Sequence, residues 1–208
     1  MVINEKEGKV YDSIYGHYLV FSPNGEKFAY VSRKENKDSI VVNEKDLKTY
    51  NSIADPIFSP DSKRLAYIAN NKIAVVDEKE TSYDWVKNIV FSPDSEKVAY
   101  IAKEGDNEFS VLNGERGPFY KGIRELIFSP DSAKLAYITE WRNSPVSPGL
   151  SGEAVVVDGR EGNIYEWVGK LTFSPDSRQV AYIALLDRLK REFVMILNDD
   201  TEILGIGW

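Results

Sequence analysis

One phrase recurs five times along the chain, and it limits the fold more than any other feature. The copies read FSPNGEKFAY from Phe21, FSPDSKRLAY from Phe58, FSPDSEKVAY from Phe91, FSPDSAKLAY from Phe128 and FSPDSRQVAY from Phe173. Their starts lie 37, 33, 37 and 45 residues apart. Self-similarity at such a period marks a repeat architecture, in which each unit buries its apolar surface against its neighbours. The interval is too long for a single hairpin. It suits four short strands with their turns, which make one propeller blade.

The third unit shows the pattern. Asn88 to Ser92 is a short apolar run, strand A. Ser92-Pro93-Asp94-Ser95 is a turn: proline presets φ at the second position, and the aspartate accepts hydrogen bonds from its own backbone. Lys97 to Ala102 is strand B, Glu108 to Leu112 is strand C, and Pro118 to Ile123 is a weaker strand D. Strand C recurs at Ser39 to Lys45, Lys72 to Lys79 and Glu153 to Gly159, and strand D recurs around Tyr50, Tyr83, Tyr120 and Tyr165. Strands A and B are apolar on successive residues, as strands covered on both faces are. The fold class read from this pattern is an all-β propeller of four-stranded antiparallel blades, with residues 1–208 forming one domain.

The phrase SPDS-x-x-[LV]-AY-[IV], with a VVxDG-type strand downstream, resembles the TolB-like or WD-like propeller repeat. The resemblance covers nearly the whole chain. Related blades occur in TolB and in the propeller domains of prolyl-oligopeptidase-type peptidases, whose catalytic machinery lies in a separate α/β domain that this chain lacks. Family blades usually end the A–B turn with glycine. Here Gly25 keeps it, while Ser62, Ser95, Ser132 and Ser177 replace it. A left-handed serine costs roughly 1–2 kcal/mol, so Ser95→Gly is expected to be neutral or stabilising.

The ends break the repeat. Val2 to Gly8 and Lys9 to Ile14 read as strands C and D of a blade without its A and B, and Glu192 to Trp208 also reads as C and D. The simplest closure is five blades, with residues 1–16 contributing to the closing blade. The alternative is an incomplete sixth blade, cut from a longer protein or completed by another chain, because an unpaired strand edge invites association. A monomer is the first expectation and a strand-swapped oligomer the second.

Bulk properties exclude several functions. The net charge of −7 argues against a nucleic-acid surface. With no cysteine and one histidine, thiolate chemistry and a His-rich metal site are both absent. The acidic turns at Glu104 to Glu108 and Asn198 to Glu202 lack the calcium-loop spacing. No segment reaches the apolar length of a membrane span. The start, Met1-Val2-Ile3-Asn4, carries no export signal; this fits a cytoplasmic protein, and equally an exported one whose leader has been removed. No hydrolase elbow is present. No cofactor, metal or catalytic residue is expected.

What remains is binding. The A–B turns are uniform and read as structural. The B–C connections vary, from Asn70-Asn71 in blade two to the long Thr139 to Gly152 loop in blade four, and long loops in compact domains tend to be functional. Blade five contributes Leu185 to Arg191, read as a helical turn. Trp141, Arg142, Arg188, Lys190, Arg191, Arg124 and His17 are the candidate binding residues on this face, since tryptophan and arginine are enriched in binding hot spots. Trp85 and Trp167 occupy equivalent positions and read as repeat packing, as do the phrase phenylalanines and tyrosines. The expected function is a non-catalytic scaffold recruiting a protein or peptide on the long-loop face. The competing reading is a small-molecule or carbohydrate-binding propeller, in the extreme a glycosidase with two facing carboxylates.

Overall fold

A computed structural model describes residues 2–3, 6–7, 9–141, 152–187, 192–198 and 200–205. Among them there is no helix. Five antiparallel sheets of four strands follow one another, each in the order A–B–C–D, and a two-stranded hairpin precedes them. The protein is a five-bladed β-propeller.

The chain divides into two compact units, Met1–Ile89 and Val90–Trp208, with the boundary inside strand A of blade three. The first unit opens with the hairpin Val2–Ile3 and Lys6–Glu7. Blade one comprises Ser13–Phe21, Phe28–Lys34, Lys37–Val42 and Lys45–Tyr50. Blade two comprises Ile53–Phe58, Leu65–Ala69, Ile73–Val76 and Lys79–Ser82. Blade three comprises Trp85–Phe91, which spans the boundary, and Val98–Glu104, Asn107–Leu112 and Glu115–Tyr120, which belong to the second unit. In the second unit, blade four comprises Gly122–Phe128, Leu135–Trp141, Gly152–Val157 and Arg160–Glu161. Blade five comprises Trp167–Phe173, Val180–Asp187, Glu192–Leu197 and Asp200–Gly205.

Strand B behaves as its composition predicts: four consecutive residues, such as Ala99, Tyr100, Ile101 and Ala102, are buried. Strand A does not. It begins earlier than its apolar run suggests and is buried only at intervals, at Val86, Ile89 and Phe91 in blade three and at Ile123 and Leu126 in blade four. It also carries a bulge, where Asp55, Asn88, Glu125 and Lys170 take left-handed φ values of 51°, 54°, 53° and 56°. One extra residue there shifts the pairing, for example between Ala54 and Ile57 opposite strand B, and bends the strand. The expected helical turn at Leu185 to Arg191 is also corrected. Strand B of blade five runs on to Asp187, because Leu185 still pairs with Phe193, and 188–191 lie outside the described residues.

The Ser-Pro-Asp turns close as predicted. Ser59 Oγ donates to Asp61 Oδ1 at 2.6 Å, and that oxygen also accepts the Lys63 N–H at 3.1 Å. These bonds, the serine hydroxyl's first, hold the Asp61 carboxyl down at about 2. The following serines are left-handed, with φ of 65° at Ser62 and 64° at Ser132. They also have a second role that a glycine would not fill. Ser62 Oγ accepts the Asn24 N–H of the preceding blade at 3.0 Å, Ser132 Oγ accepts that of Asp94 at 2.9 Å, and Ser177 Oγ accepts that of Asp131 at 2.9 Å. Lys27, Lys97 and Lys134 donate to the carbonyls of the same three serines. Replacement by glycine at Ser62, Ser132 or Ser177 therefore removes a tie between blades as well as strain, so the two effects oppose each other there.

Two further ties recur. A carboxylate near the start of strand C accepts the N–H that opens strand A of the next blade: Asp38 from Ile53 at 3.2 Å, Glu108 from Ile123 at 2.7 Å, Glu153 from Val168 at 2.6 Å. The strand D tyrosine donates to an acidic residue of the next blade, Tyr50 to Glu80 at 2.5 Å and Tyr120 to Glu161 at 2.9 Å. It also meets the next strand B tyrosine edge-on, at 6.1 Å for Tyr50–Tyr67, Tyr120–Tyr137 and Tyr165–Tyr182.

The N-terminal half-unit follows the same plan. Val2 pairs with Glu7 and Ile3 with Lys6, the register of Val41 with Asp46 and Val42 with Lys45. Lys9–Asp12 is irregular rather than a strand, and Ser13 already belongs to strand A of blade one. Tyr11 nevertheless takes the tyrosine's place, donating to Asp46 at 2.8 Å and meeting Tyr30 edge-on at 6.2 Å. Burial by itself would raise the Asp46 carboxyl, but the bonds from Lys9 and Tyr11 outweigh it and hold the carboxyl below its usual value.

The phrase phenylalanines pack backward onto the preceding blade. Phe58 joins Ala29, Val31 and Ile40 of blade one. Phe128 packs with Ala99 and Ile101 of blade three, and Phe173 with Ala136 and Ile138 of blade four. Phe21 is the exception: it is 62% exposed, against 7% for Phe58.

Candidate recognition site

In the second unit the chain leaves blade four at Trp141 and re-enters it at Gly152, a pair in register across strands B and C. A side chain at Gly152 would collide with the Tyr165 carbonyl and the Ile164 side chain. Glycine is therefore required where the 142–151 segment returns. Glu153 next to it is clamped on two sides. Its Oε2 accepts the Val168 N–H and, at 2.5 Å, Arg124 Nη2, which also donates to the Val168 carbonyl. The second guanidinium nitrogen pairs with Glu125 at 3.3 Å, and Glu125 in turn accepts the Leu171 N–H at 3.1 Å. Arg124 is thus a strut between blades four and five rather than a free cation.

Above that strut sits Trp167. Its ring lies over Gly169, where any Cβ would strike the indole. The Arg124 guanidinium stands 6.0 Å from the ring centroid and Phe193 meets the ring edge-on at 6.4 Å. Trp167 is 40% exposed and Phe193 47%. The packing role read from sequence for Trp167 is therefore corrected: the indole is positioned but not buried. Its counterpart in the first unit, Trp85, is also partly exposed, with the Lys87 ammonium 5.0 Å from its ring centroid where blade five has Gly169.

The other sequence candidates are placed differently. Trp141 packs edge-on against Tyr120 at 5.0 Å and against the blade-three and blade-four core, with its Nε1 buried and unpartnered. His17, in the first unit, lies in an enlarged bulge of strand A between Tyr15 and Val20 rather than in a connection. It is exposed, with its ring 4.1 Å from that of Tyr18. Arg142, Arg188, Lys190 and Arg191 lie outside the described residues. Sequence reasoning missed Gly169 and Phe193, and only the glycine two residues after Trp167 could have signalled them.

At the turn end of the second unit a groove of about 620 Å³ is lined by Lys134, Arg160, Arg178 and Phe173. The equivalent groove of the first unit, about 380 Å³, is lined by Lys27, Lys45 and Lys63. Their recurrence at one position marks them as gaps between blades, and Lys27 and Lys134 are already committed to serine carbonyls. No group of acidic, histidine or cysteine residues able to hold a metal occurs among the described residues.

No protein-family model matches the chain, and no curated protein does. Solved structures do resemble it. The β-propeller domain of the Trilobed protease from Pyrococcus furiosus, reported to have an open velcro topology, is 17% identical over 91% of this chain and 71% of that one, with a TM-score of 0.53. A eukaryotic initiation factor is 12% identical over 97% of this chain and 56% of that one, with a TM-score of 0.54. TolB from Acinetobacter baumannii is 17% identical over 89% and 51%, with a TM-score of 0.45. The chain spans about half of the last two and seven-tenths of the first. At such identities the likeness concerns the propeller fold alone.

Proposed function

We propose that the protein is a non-catalytic propeller module that recruits a protein or peptide at the loop-bearing end of blades four and five, with Trp167 as the anchor. The exposed, rigidly seated indole carries the reading. A large amphipathic ring held in one rotamer loses little entropy on binding, and tryptophan is among the residues enriched in binding hot spots. The carboxylates Asp38, Glu108 and Glu153 are spent on strand-opening N–H groups, which favours binding over glycosidase chemistry at those positions.

The test compares wild type, Trp167→Ala and a chain lacking 143–150 in affinity capture, followed by titration of each captured protein against purified chain. Loss of capture in both variants, with unchanged melting, supports the reading. Capture and affinity unchanged in both would refute it. Because an exposed indole also stacks on sugar rings, titration of Trp167 fluorescence with oligosaccharides tests the carbohydrate alternative. Saturable quenching there, with no captured protein, would replace the proposal.

A further inference from the structure

Gaps between blades recur at the turn end, but the charges around them do not. The second unit contains two that can be compared. The groove between blades four and five measures about 620 Å³ and is lined by Lys134 before strand B, Arg160 at the start of strand D, and Arg178 in the turn of blade five. The groove between blades three and four measures about 300 Å³. The three equivalent positions there are Lys97, Glu115 and Ala133. Three cations thus stand around one gap, and one cation with one carboxylate around the other.

The charges of the larger groove are unequally committed. Its two carboxylates are spent on the fold: Asp158 Oδ1 accepts the Leu135 N–H at 2.9 Å, and Glu161 Oε1 accepts the Tyr120 hydroxyl at 2.9 Å. The cations are not. Among the described residues Arg160 makes no ion pair or side-chain hydrogen bond. Arg178 approaches the Asp176 carboxylate only at 3.9 Å. Lys134 gives one N–H to the Ser177 carbonyl, and an ammonium has two more. Both arginines are exposed, so no packing role accounts for them. Val157, Phe173 and Val180 add an apolar surface to the same groove. The first unit's groove also holds three cations, but all are lysines, which lack the paired donors of a guanidinium, and Asp77 and Glu78 line it with them.

We propose that the groove between blades four and five binds a small phosphate monoester carrying a planar apolar group. Its volume lies in the range of small-ligand pockets. Arg160 and Arg178 reach it from different blades, so one anionic group can take a guanidinium fork from each side, with the Lys134 ammonium between them. A carboxylate has two oxygens to share among these donors. A phosphate monoester has three, with nearly twice the charge at neutral pH. The planar group then lies against Phe173.

The test is calorimetric titration of the full-length chain with phenyl phosphate, inorganic phosphate and benzoate, in wild type, Arg160→Gln, Arg178→Gln and Lys63→Gln. Phenyl phosphate is expected to bind wild type saturably, one molecule per chain, and more tightly than either of the other two probes. Each arginine variant is expected to lose at least tenfold in affinity. Lys63→Gln, at the matching place in the first unit, should leave it unchanged. All three positions are exposed, and equal melting temperatures check that the fold is intact. Absence of saturable binding at millimolar phenyl phosphate overturns the proposal. So does binding unaffected by the arginine substitutions, or weakened as much by Lys63→Gln. Benzoate binding as tightly as phenyl phosphate overturns the choice of a phosphate, and inorganic phosphate doing so overturns the role of Phe173. Trp167 lies at the loop-bearing end, so partner capture there succeeds or fails independently.

Discussion

Ser132 puts two effects of similar size in opposition, so a pair of substitutions there separates them. Its φ is 64°, a conformation that costs a residue with a Cβ roughly 1–2 kcal/mol relative to glycine. Its Oγ accepts the Asp94 N–H at 2.9 Å, and its carbonyl accepts Lys97 Nζ at 2.8 Å. Ser132→Ala keeps the backbone cost and strips the acceptor from a half-buried N–H, a loss of about 1–2 kcal/mol. Ser132→Gly suffers the same loss but relieves the backbone, so it should fall within about 1 kcal/mol of wild type. The lysine bond survives in both, because it uses the main chain. For a chain of this length 1 kcal/mol moves the melting temperature by about 2–4 °C. Thermal denaturation followed by circular dichroism should therefore rank wild type at or above the glycine variant, and the glycine variant a few degrees above the alanine one. The reverse substitution, Gly25→Ser, meets open space but keeps φ at 73°, so it should cost about 1 kcal/mol through strain with no tie to offset it. An alanine variant as stable as wild type, or no better glycine variant, would refute the account of the turn-to-turn link.

Three other outcomes are expected. Phe58→Ala should cost about 3–5 kcal/mol, as buried phenylalanines do, whereas Phe21→Ala should cost under about 1 kcal/mol, given its exposure; urea midpoints compare them. Asp61, held near 2 when folded against about 4 when unfolded, stabilises above pH 4. That contribution fades as pH falls from about 4 to 2, so Asp61→Asn should flatten the acid limb of the stability profile, and an unchanged limb would count against it. Gly169→Ala should displace the Trp167 ring, read as a shift in tryptophan emission and at least a tenfold loss of any partner affinity carried by that ring, about 1.4 kcal/mol.

The sequence also carried the turns. Serine, proline and aspartate within six residues specify their own hydrogen bonds, so the Ser59–Asp61–Lys63 geometry was legible. The doubled strand B burial was legible for a similar reason, since unbroken apolar runs need cover on both faces. The strand A bulge was not, because Asp55, Asn88, Glu125 and Lys170 share no side-chain type, only a left-handed backbone. Trp141 and Trp167 were misread in opposite directions. The loop residue proved to be packed and the repeat residue exposed, because Tyr120 and Gly169, which decide those positions, cannot be found from the tryptophans alone.

Period, strand order and turn chemistry therefore came from the sequence by itself, since each depends on residues a few positions apart. The ties between blades came only from the tertiary structure. Ser132 finds Asp94, and Glu153 finds Arg124 and Val168, over separations of 15 to 38 residues, and nothing in spacing sets those distances. The same holds for Phe21: its phrase matches the other four, and its exposure is decided by what stands against it.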